Sequence, residues 1–310
     1  MNKIPTYLKP DSVAQALEFA RRCDDNFRFL AGGTDVIVNT FQGNDNSKCF
    51  IDINGIDELR RIHLDDEEVL IGATATLEEI EHHQELRHRM PVLAEAAASI
   101  ASPVIRKSAT VGGNLLCENR CVFYNQSEWW RKAVGYCLKC DGDICIATGG
   151  KKACFSKFVS DMAVTLIGLH ARIEILGPDG IEEIMLEDLY SGDGVNSHTF
   201  SKTSLITAIK IPVRPGMRSV FKKLRSRESV EFSSLTTTIT VDDTGRIRIV
   251  LGGVDPMPIL IEGSVADTLD ELLQRAVKKP RVIDNDVYTR KYRKEMIAVY
   301  VKNSFLELGL

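Results

Sequence analysis

The sequence predicts an α/β region followed by an α+β unit, with a long aperiodic segment set into the first. Three observations carry this. Helix-like and strand-like stretches alternate over residues 1–55; strand-like stretches precede two helical ones in the last third; and six of the eight cysteines fall between Cys117 and Cys154. A chain of 310 residues suggests two or three packed units, because single hydrophobic cores stop growing near roughly 250–300 residues.

Asp11 or Ser12 can cap a helix over 13–22, where Val13, Ala16, Leu17 and Ala20 share one face. Residues 27–31 read as a strand ending in Gly32-Gly33-Thr34-Asp35, with a second apolar run at 36–38 and another strand at 49–53. A new unit begins near Ile56. Residues 60–64 and 68–73 form a hairpin across Asp65-Asp66. Thr76-Leu77-Glu78-Glu79 is a capping box, and Pro91 opens an alanine-rich helix to 101. After the cysteine segment, order returns at 161–169. A strand at 171–176 leads into the turn Gly177-Pro178-Asp179-Gly180, and a further strand at 205–211 stops before Pro212. The last unit pairs strands at 235–241 and 246–251 across Asp242-Asp243-Thr244-Gly245. Helical patterns at 264–278 and 286–308 follow, so helices pack on one face of an antiparallel sheet. The units are thus 1–55, 56–212 and 213–310, with an insertion at 117–158 in the second.

The composition, 44% hydrophobic and 26% charged with a net charge of −4, gives no electrostatic reason to expect nucleic acid. No apolar run reaches the ~18–20 residues that span a bilayer. Met1-Asn2-Lys3-Ile4-Pro5 lacks an apolar signal core. The expected compartment is a reducing cytoplasm, where disulfides do not persist.

Two Gly-Gly turns stand out, Ala31-Gly32-Gly33-Thr34-Asp35 and Thr110-Val111-Gly112-Gly113-Asn114. Without a Cβ, backbone N–H groups can approach a phosphate closely, and Thr34, Thr110 and Asn114 offer side-chain donors. Neither turn is a dinucleotide fingerprint or a P-loop. The plainer reading is a turn that needs positive φ. No Ser/His/Asp set or histidine metal motif is present, and His82, His83 and His88 lie in a charged helical stretch that reads as a solvated face.

Residues 117–158 are poor in periodicity, and a stretch this long needs something to organise it. A metal would do so, its binding energy becoming folding energy. Cys117-x3-Cys121 and Cys137-x2-Cys140 have the spacing of a structural zinc ribbon. The rival is an iron–sulfur cluster, for which Cys121, Cys137, Cys145 and Cys154 are natural ligands. Spacing alone leans to zinc. Tyr124, Trp129, Trp130 and Tyr136 read as packing the segment onto its domain.

Phe29-Leu30-Ala31-Gly32-Gly33-Thr34-Asp35-Val36, Thr110-Val111-Gly112-Gly113-Asn114 and Ser160-Asp161 together resemble the FAD-binding medium subunit of the xanthine oxidase family of molybdenum hydroxylases. The likeness covers nearly the whole chain. Most members pass directly from the second Gly-Gly turn to the Ser-Asp motif, whereas here some forty-five residues intervene. The branch with such an insertion is 4-hydroxybenzoyl-CoA reductase, whose β subunit carries an extra [4Fe–4S] cluster there. The resemblance therefore replaces zinc with that cluster on Cys121, Cys137, Cys145 and Cys154, and leaves Cys117 and Cys140 as bystanders.

What the resemblance implies is a three-part FAD-binding fold with FAD between the first two parts. Phe29 to Val36 and Thr110 to Asn114 would hold the pyrophosphate through backbone N–H groups. Asp161 would accept from ribityl hydroxyls, and Thr207, Lys222 and Ile100 fall where relatives contact the flavin ring. It also implies that a reduced ferredoxin supplies single electrons to the cluster, which passes them to FAD. They continue through [2Fe–2S] clusters on a small subunit to a molybdenum cofactor on a large one, in a dimer of heterotrimers. There the phenolic hydroxyl of 4-hydroxybenzoyl-CoA is removed reductively. Lys132, Lys139, Lys151 and Lys152 mark the expected ferredoxin-facing surface. An oxidising hydroxylase that delivers electrons to NAD or a quinone is the alternative, as is a zinc-stabilised scaffold.

Overall fold

Ser12 accepts a hydrogen bond from the Gln15 N–H at 3.3 Å and opens helix Val13–Arg22, which buries Val13, Ala16, Leu17 and Ala20 as its pattern demands. The computed structural model describes residues 6–23 and 26–310; residues 1–5, and with them the expected lack of a signal core, lie outside it. Helix Val13–Arg22 crosses over a parallel sheet in which β3 (Cys49–Asp52) lies between β1 (Thr6–Leu8) and β2 (Phe27–Leu30). The apolar run after the first Gly-Gly turn is no strand: Val36–Phe41 is a short helix.

The second sheet is antiparallel, in the order β4 (Ile62–Leu64), β5 (Glu68–Gly72), β8 (Leu205–Pro212), β6 (Arg172–Gly177), β7 (Gly180–Met185). The Asp65-Asp66 hairpin and the Gly177-to-Gly180 turn form where expected, with Gly180 at φ +115°. Thr76 and Glu79 make the reciprocal capping box. Helices Pro91–Ala98 and Asp161–Gly168 are buried against this sheet in one apolar core.

The third sheet runs β9 (Arg218–Leu224), β10 (Leu235–Val241), β11 (Arg246–Gly252), β12 (Ile259–Ser264), each strand antiparallel to the next. Helices Leu269–Lys278 and Arg290–Leu308 cover one face through Leu272, Ile297, Val301 and Phe305. They start later than their apolar patterns do, because β12 extends to Ser264 and Thr268 and Thr289 supply the caps. The other face is also covered. Thr238 Oγ1 meets Thr165 Oγ1 at 3.2 Å, and Thr240 donates to the Gly168 carbonyl at 2.9 Å. Every residue of β10 is therefore buried, and helix Asp161–Gly168 becomes the joint between the second and third units. Among the described residues no helix is long and apolar enough to cross a membrane.

Candidate cofactor site

A cavity of about 1050 Å³ opens where the three units meet, at the upper end of the size range of cofactor sites. The resemblance places the cofactor between the first two units, but Lys223, Phe232, Ser234 and Asp286 of the third also line the cavity. Phe29 and Ala31 to Val36 border it, whereas Leu30 is turned into the protein and buried. Gly33 has φ +70°, a left-handed conformation that favours glycine. The N–H groups of Gly32, Gly33, Thr34, Asp35 and Val36 take no partner in the backbone hydrogen bonds of the described residues, so they stand available to an anion.

The Asp35 side chain has a job of its own. Its Oδ2 accepts from the Glu118 N–H at 3.0 Å, and its Oδ1 accepts from the Arg120 guanidinium. It thus fastens the root of the cysteine segment to the first turn, and it makes no side-chain cap on helix Val36–Phe41.

The second motif is not an open turn. Thr110 caps helix Val111–Leu115, its hydroxyl accepting from the Gly113 N–H at 3.2 Å. The N–H groups of Val111 and Gly112 donate to the carbonyls of Ala75 and Ala73, and that of Asn114 to Thr110. The expected backbone cradle is therefore already spoken for by protein acceptors. Thr110, Gly112, Gly113 and Asn114 still line the cavity, while Val111 is fully buried. Asn114 Oδ1 accepts from Ser160 Oγ at 2.8 Å and from the Met162 N–H at 3.3 Å. That leaves its NH2 as the end able to donate to a ligand.

Glycine is required here for close packing. A Cβ on Gly32 would sit 1.7 Å from the Ser108 carbonyl oxygen, and one on Gly112 would sit 2.8 Å from that of Ala73. Gly32→Ala is expected to cost about 3 kcal/mol of stability, since backbone must move to admit the methyl. Gly55→Ala, with open space around it, is expected to stay within about 0.5 kcal/mol. Urea midpoints of the two variants check this.

Asp161 opens helix Asp161–Gly168 and is buried. Its carboxylate accepts from Ser233 Oγ, from Thr236 Oγ1 and from Lys223 Nζ at 2.6 Å. Three of its roughly four acceptor positions are thus filled by the protein. Lys223 also donates to the Ser99 carbonyl at 3.0 Å, beside Ile100, which lines the cavity as an aliphatic wall. Lys222 is a correction: it points away and pairs with Glu307 at 2.5 Å. Successive side chains alternate on a strand, so only one of the two lysines of β9 can face the site. Thr207 is a second correction. Its hydroxyl donates to Glu174 Oε1 at 2.6 Å, and the cavity is lined instead by its neighbours Leu205 and Ile206.

The inserted segment leaves the cavity wall through a neck. Arg120 and Lys157 form a two-residue antiparallel bridge, N–H to carbonyl at 2.9 and 2.8 Å, and both line the cavity. Beyond it, Ser127 caps helix Glu128–Val134. Buried Arg131 reaches Asn44 and the Gln42 carbonyl of the first unit, and the Cys154 N–H donates to Asp193 at 3.0 Å.

Cys121, Cys137, Cys145 and Cys154 border one small pocket, walled by Phe123, Tyr124, Leu138 and Ile146. Cys117 borders the large cavity instead, and Cys140 borders neither, so the zinc-ribbon set is split apart. Among the described residues no three His, Cys, Asp or Glu side chains converge on a point suited to a metal ion. Four thiols border this pocket of about 10 Å³, the donor type that a thiolate-held cluster would use. Burial pushes the Cys121 thiol up to about 11 and raises that of Cys154; the positive charge of a metal would keep them as thiolates. The Cys140 thiol donates to Cys137 and holds it down to about 6. Burial drives Cys117 up to about 12, which suits a thiol in a cavity wall.

Two surface expectations change. Trp129 is 78% exposed and does not pack on the domain, whereas Tyr124 is buried as expected. Lys139 is buried between Glu118 at 2.7 Å and the Gly194 carbonyl, leaving Lys132, Lys151 and Lys152 exposed on this face. Sequence reasoning missed Arg120, Lys223, Ser233 and Thr236. Only the choice between the two adjacent lysines had a readable signal, the alternation along 218–224.

Residues 2–214 match the family described as the FAD binding domain in molybdopterin dehydrogenase. The chain belongs to this family of flavin subunits of molybdenum hydroxylases. It is 30% identical over 277 residues to the aldehyde oxidoreductase FAD-binding subunit PaoB of Escherichia coli, covering 84% of this chain and 85% of that one. It is 22% identical to the glyceraldehyde dehydrogenase medium chain of Sulfolobus acidocaldarius over 98% of each. A chain of carbon monoxide dehydrogenase from Hydrogenophaga pseudoflava shares the fold, with a TM-score of 0.78, 20% identity, and coverage of 98% and 97%.

Proposed function

We propose that the chain is the electron-transfer subunit of a 4-hydroxybenzoyl-CoA reductase, with FAD in the large cavity and a [4Fe–4S] cluster on Cys121, Cys137, Cys145 and Cys154. The observation that carries the reading is Cys121, which borders both pockets, so the cysteine pocket and the flavin cavity share a wall. Cluster and flavin supply one-electron and two-electron exchange, which suits reduced ferredoxin as donor. The protein's part is to hold and shield. Phe123, Tyr124, Leu138 and Ile146 keep water from the thiols, and the Asp35 contacts with Glu118 and Arg120 hold the root of the loop against the flavin turn. The partners proposed are a small [2Fe–2S] subunit and a large molybdenum-cofactor subunit carrying the substrate, in a cytoplasmic dimer of heterotrimers.

A second reading is an oxidising enzyme of the same build, with electrons leaving toward NAD or a quinone. Similarity to the aldehyde oxidoreductase subunit favours it. Assay of the purified complex separates the two. The reductase reading expects benzoyl-CoA from 4-hydroxybenzoyl-CoA with reduced ferredoxin, and no NAD reduction by aldehydes. Aldehyde-dependent reduction of NAD or a quinone, with no dehydroxylation, would sink it.

A further inference from the structure

We propose that Arg120, supplied by the neck of the inserted loop, binds the pyrophosphate of FAD. The inference rests on FAD occupying the large cavity and needs no cluster in the loop. Arg120 is only 8% exposed and lines that cavity. One arm of its guanidinium holds Asp35, at the end of the first Gly-Gly turn, and its Cζ lies 4.6 Å from the centroid of the Phe232 ring. Its Nε–H is buried and has no hydrogen-bond partner.

A buried donor left unpaired costs free energy, and a guanidinium offers a fork that matches phosphate oxygens. The Asp35 contact brings that fork to Gly32–Val36, the stretch whose backbone N–H groups are also without acceptors. Free N–H donors and a partly unsatisfied cation on one wall describe an anion site. Its natural occupant in a flavin cavity is the doubly charged pyrophosphate rather than the uncharged ring. In the second Gly-Gly motif the Val111, Gly112 and Asn114 N–H groups go to protein carbonyls and that of Gly113 to the Thr110 hydroxyl, so the loop makes up donors that these residues do not provide.

The test compares FAD with riboflavin, which lacks the phosphates. The full chain is stripped of flavin and each ligand is titrated by flavin fluorescence. Arg120→Met is expected to weaken FAD about tenfold or more, the scale of a lost charge-assisted hydrogen bond, and to leave riboflavin within about twofold. Arg120→Lys keeps the charge without the fork and is expected to fall between wild type and Arg120→Met for FAD alone; it carries the test if Arg120→Met fails to fold. Unchanged FAD affinity, or an equal loss for both ligands, would show Arg120 to be only a brace for Asp35 and overturn the proposal. Iron is measured on the same samples, so an iron-free loop would reject the cluster while leaving the Arg120 result to be judged by itself.

Discussion

Cys145→Ala is expected to strip the chain of iron and leave its flavin bound. The segment that carries Cys145 has little apolar core. It is organised by a neck, a helix cap and scattered polar contacts, and four of its cysteines face one pocket. A metal cluster there would supply folding energy that apolar packing does not. With one of four ligands gone, iron and acid-labile sulfide are expected to fall from about four per chain to near zero. Cys145 does not border the large cavity, and Arg120 and Lys157, which do, are held by their own bridge and by Asp35 and Asp286. Colorimetric iron and sulfide, with flavin released by denaturation, check both halves. Cys140→Ala is the control and is expected to keep its iron, because Cys140 lies outside the pocket. Full iron in Cys145→Ala would mean that other groups hold the metal.

Asp161→Ala is expected to cost about 3–5 kcal/mol and to empty the flavin cavity. The carboxylate and its partner Lys223 are both buried, with side chains 4% and 5% exposed. Removing one member of a buried pair leaves the other charge uncompensated, and that penalty sets the size of the effect. The hydroxyls of Ser233 and Thr236 lose their acceptor as well. Lys222→Ala gives the contrast. Its pair with Glu307 is at the surface, where such contacts are worth about 0–1 kcal/mol, and flavin content is expected not to change. Denaturant unfolding and flavin occupancy of both variants, with Lys223→Met alongside, decide the matter. A larger effect of Lys222→Ala than of Lys223→Met would reverse the assignment of the β9 faces.

The elements legible in the sequence were those with a local physical cause. Ser12 and Thr76 cap helices because a hydroxyl three residues before an N–H can accept from it wherever the chain lies. The turn from Gly177 to Gly180 closes a hairpin because glycine tolerates φ +115°. The strand Cys49–Asp52 lies within one residue of its apolar run. Helix Val36–Phe41 was not legible, because a three-residue apolar run carries no period.

The candidate site divides in the same way. Gly32, Gly33, Gly112, Gly113, Asp161 and the four cysteines are legible as residue types with a chemistry, and the structure brings the cysteines to one pocket and the rest to one cavity. What each does there was beyond the sequence. Gly32 and Gly112 are small because backbone carbonyls lie against them. Asp35 binds the loop, and the second motif's N–H groups serve Ala73, Ala75 and Thr110.

The sequence by itself predicted three units and a cysteine-rich segment, and its resemblance to a family marked two glycine motifs and an acidic residue as a cofactor site with that segment inserted between them. Tertiary structure alone decided that Lys223 rather than Lys222 faces the cavity, that Cys117 and Cys140 stand apart from the other four cysteines, and that Arg120 joins loop to flavin turn. The reason is physical. Caps, turns and donor types are set within a few residues of chain. Which buried charge meets which partner depends on contacts such as Asp35 with Arg120 and Asp161 with Lys223, made across 85 and 62 residues of sequence.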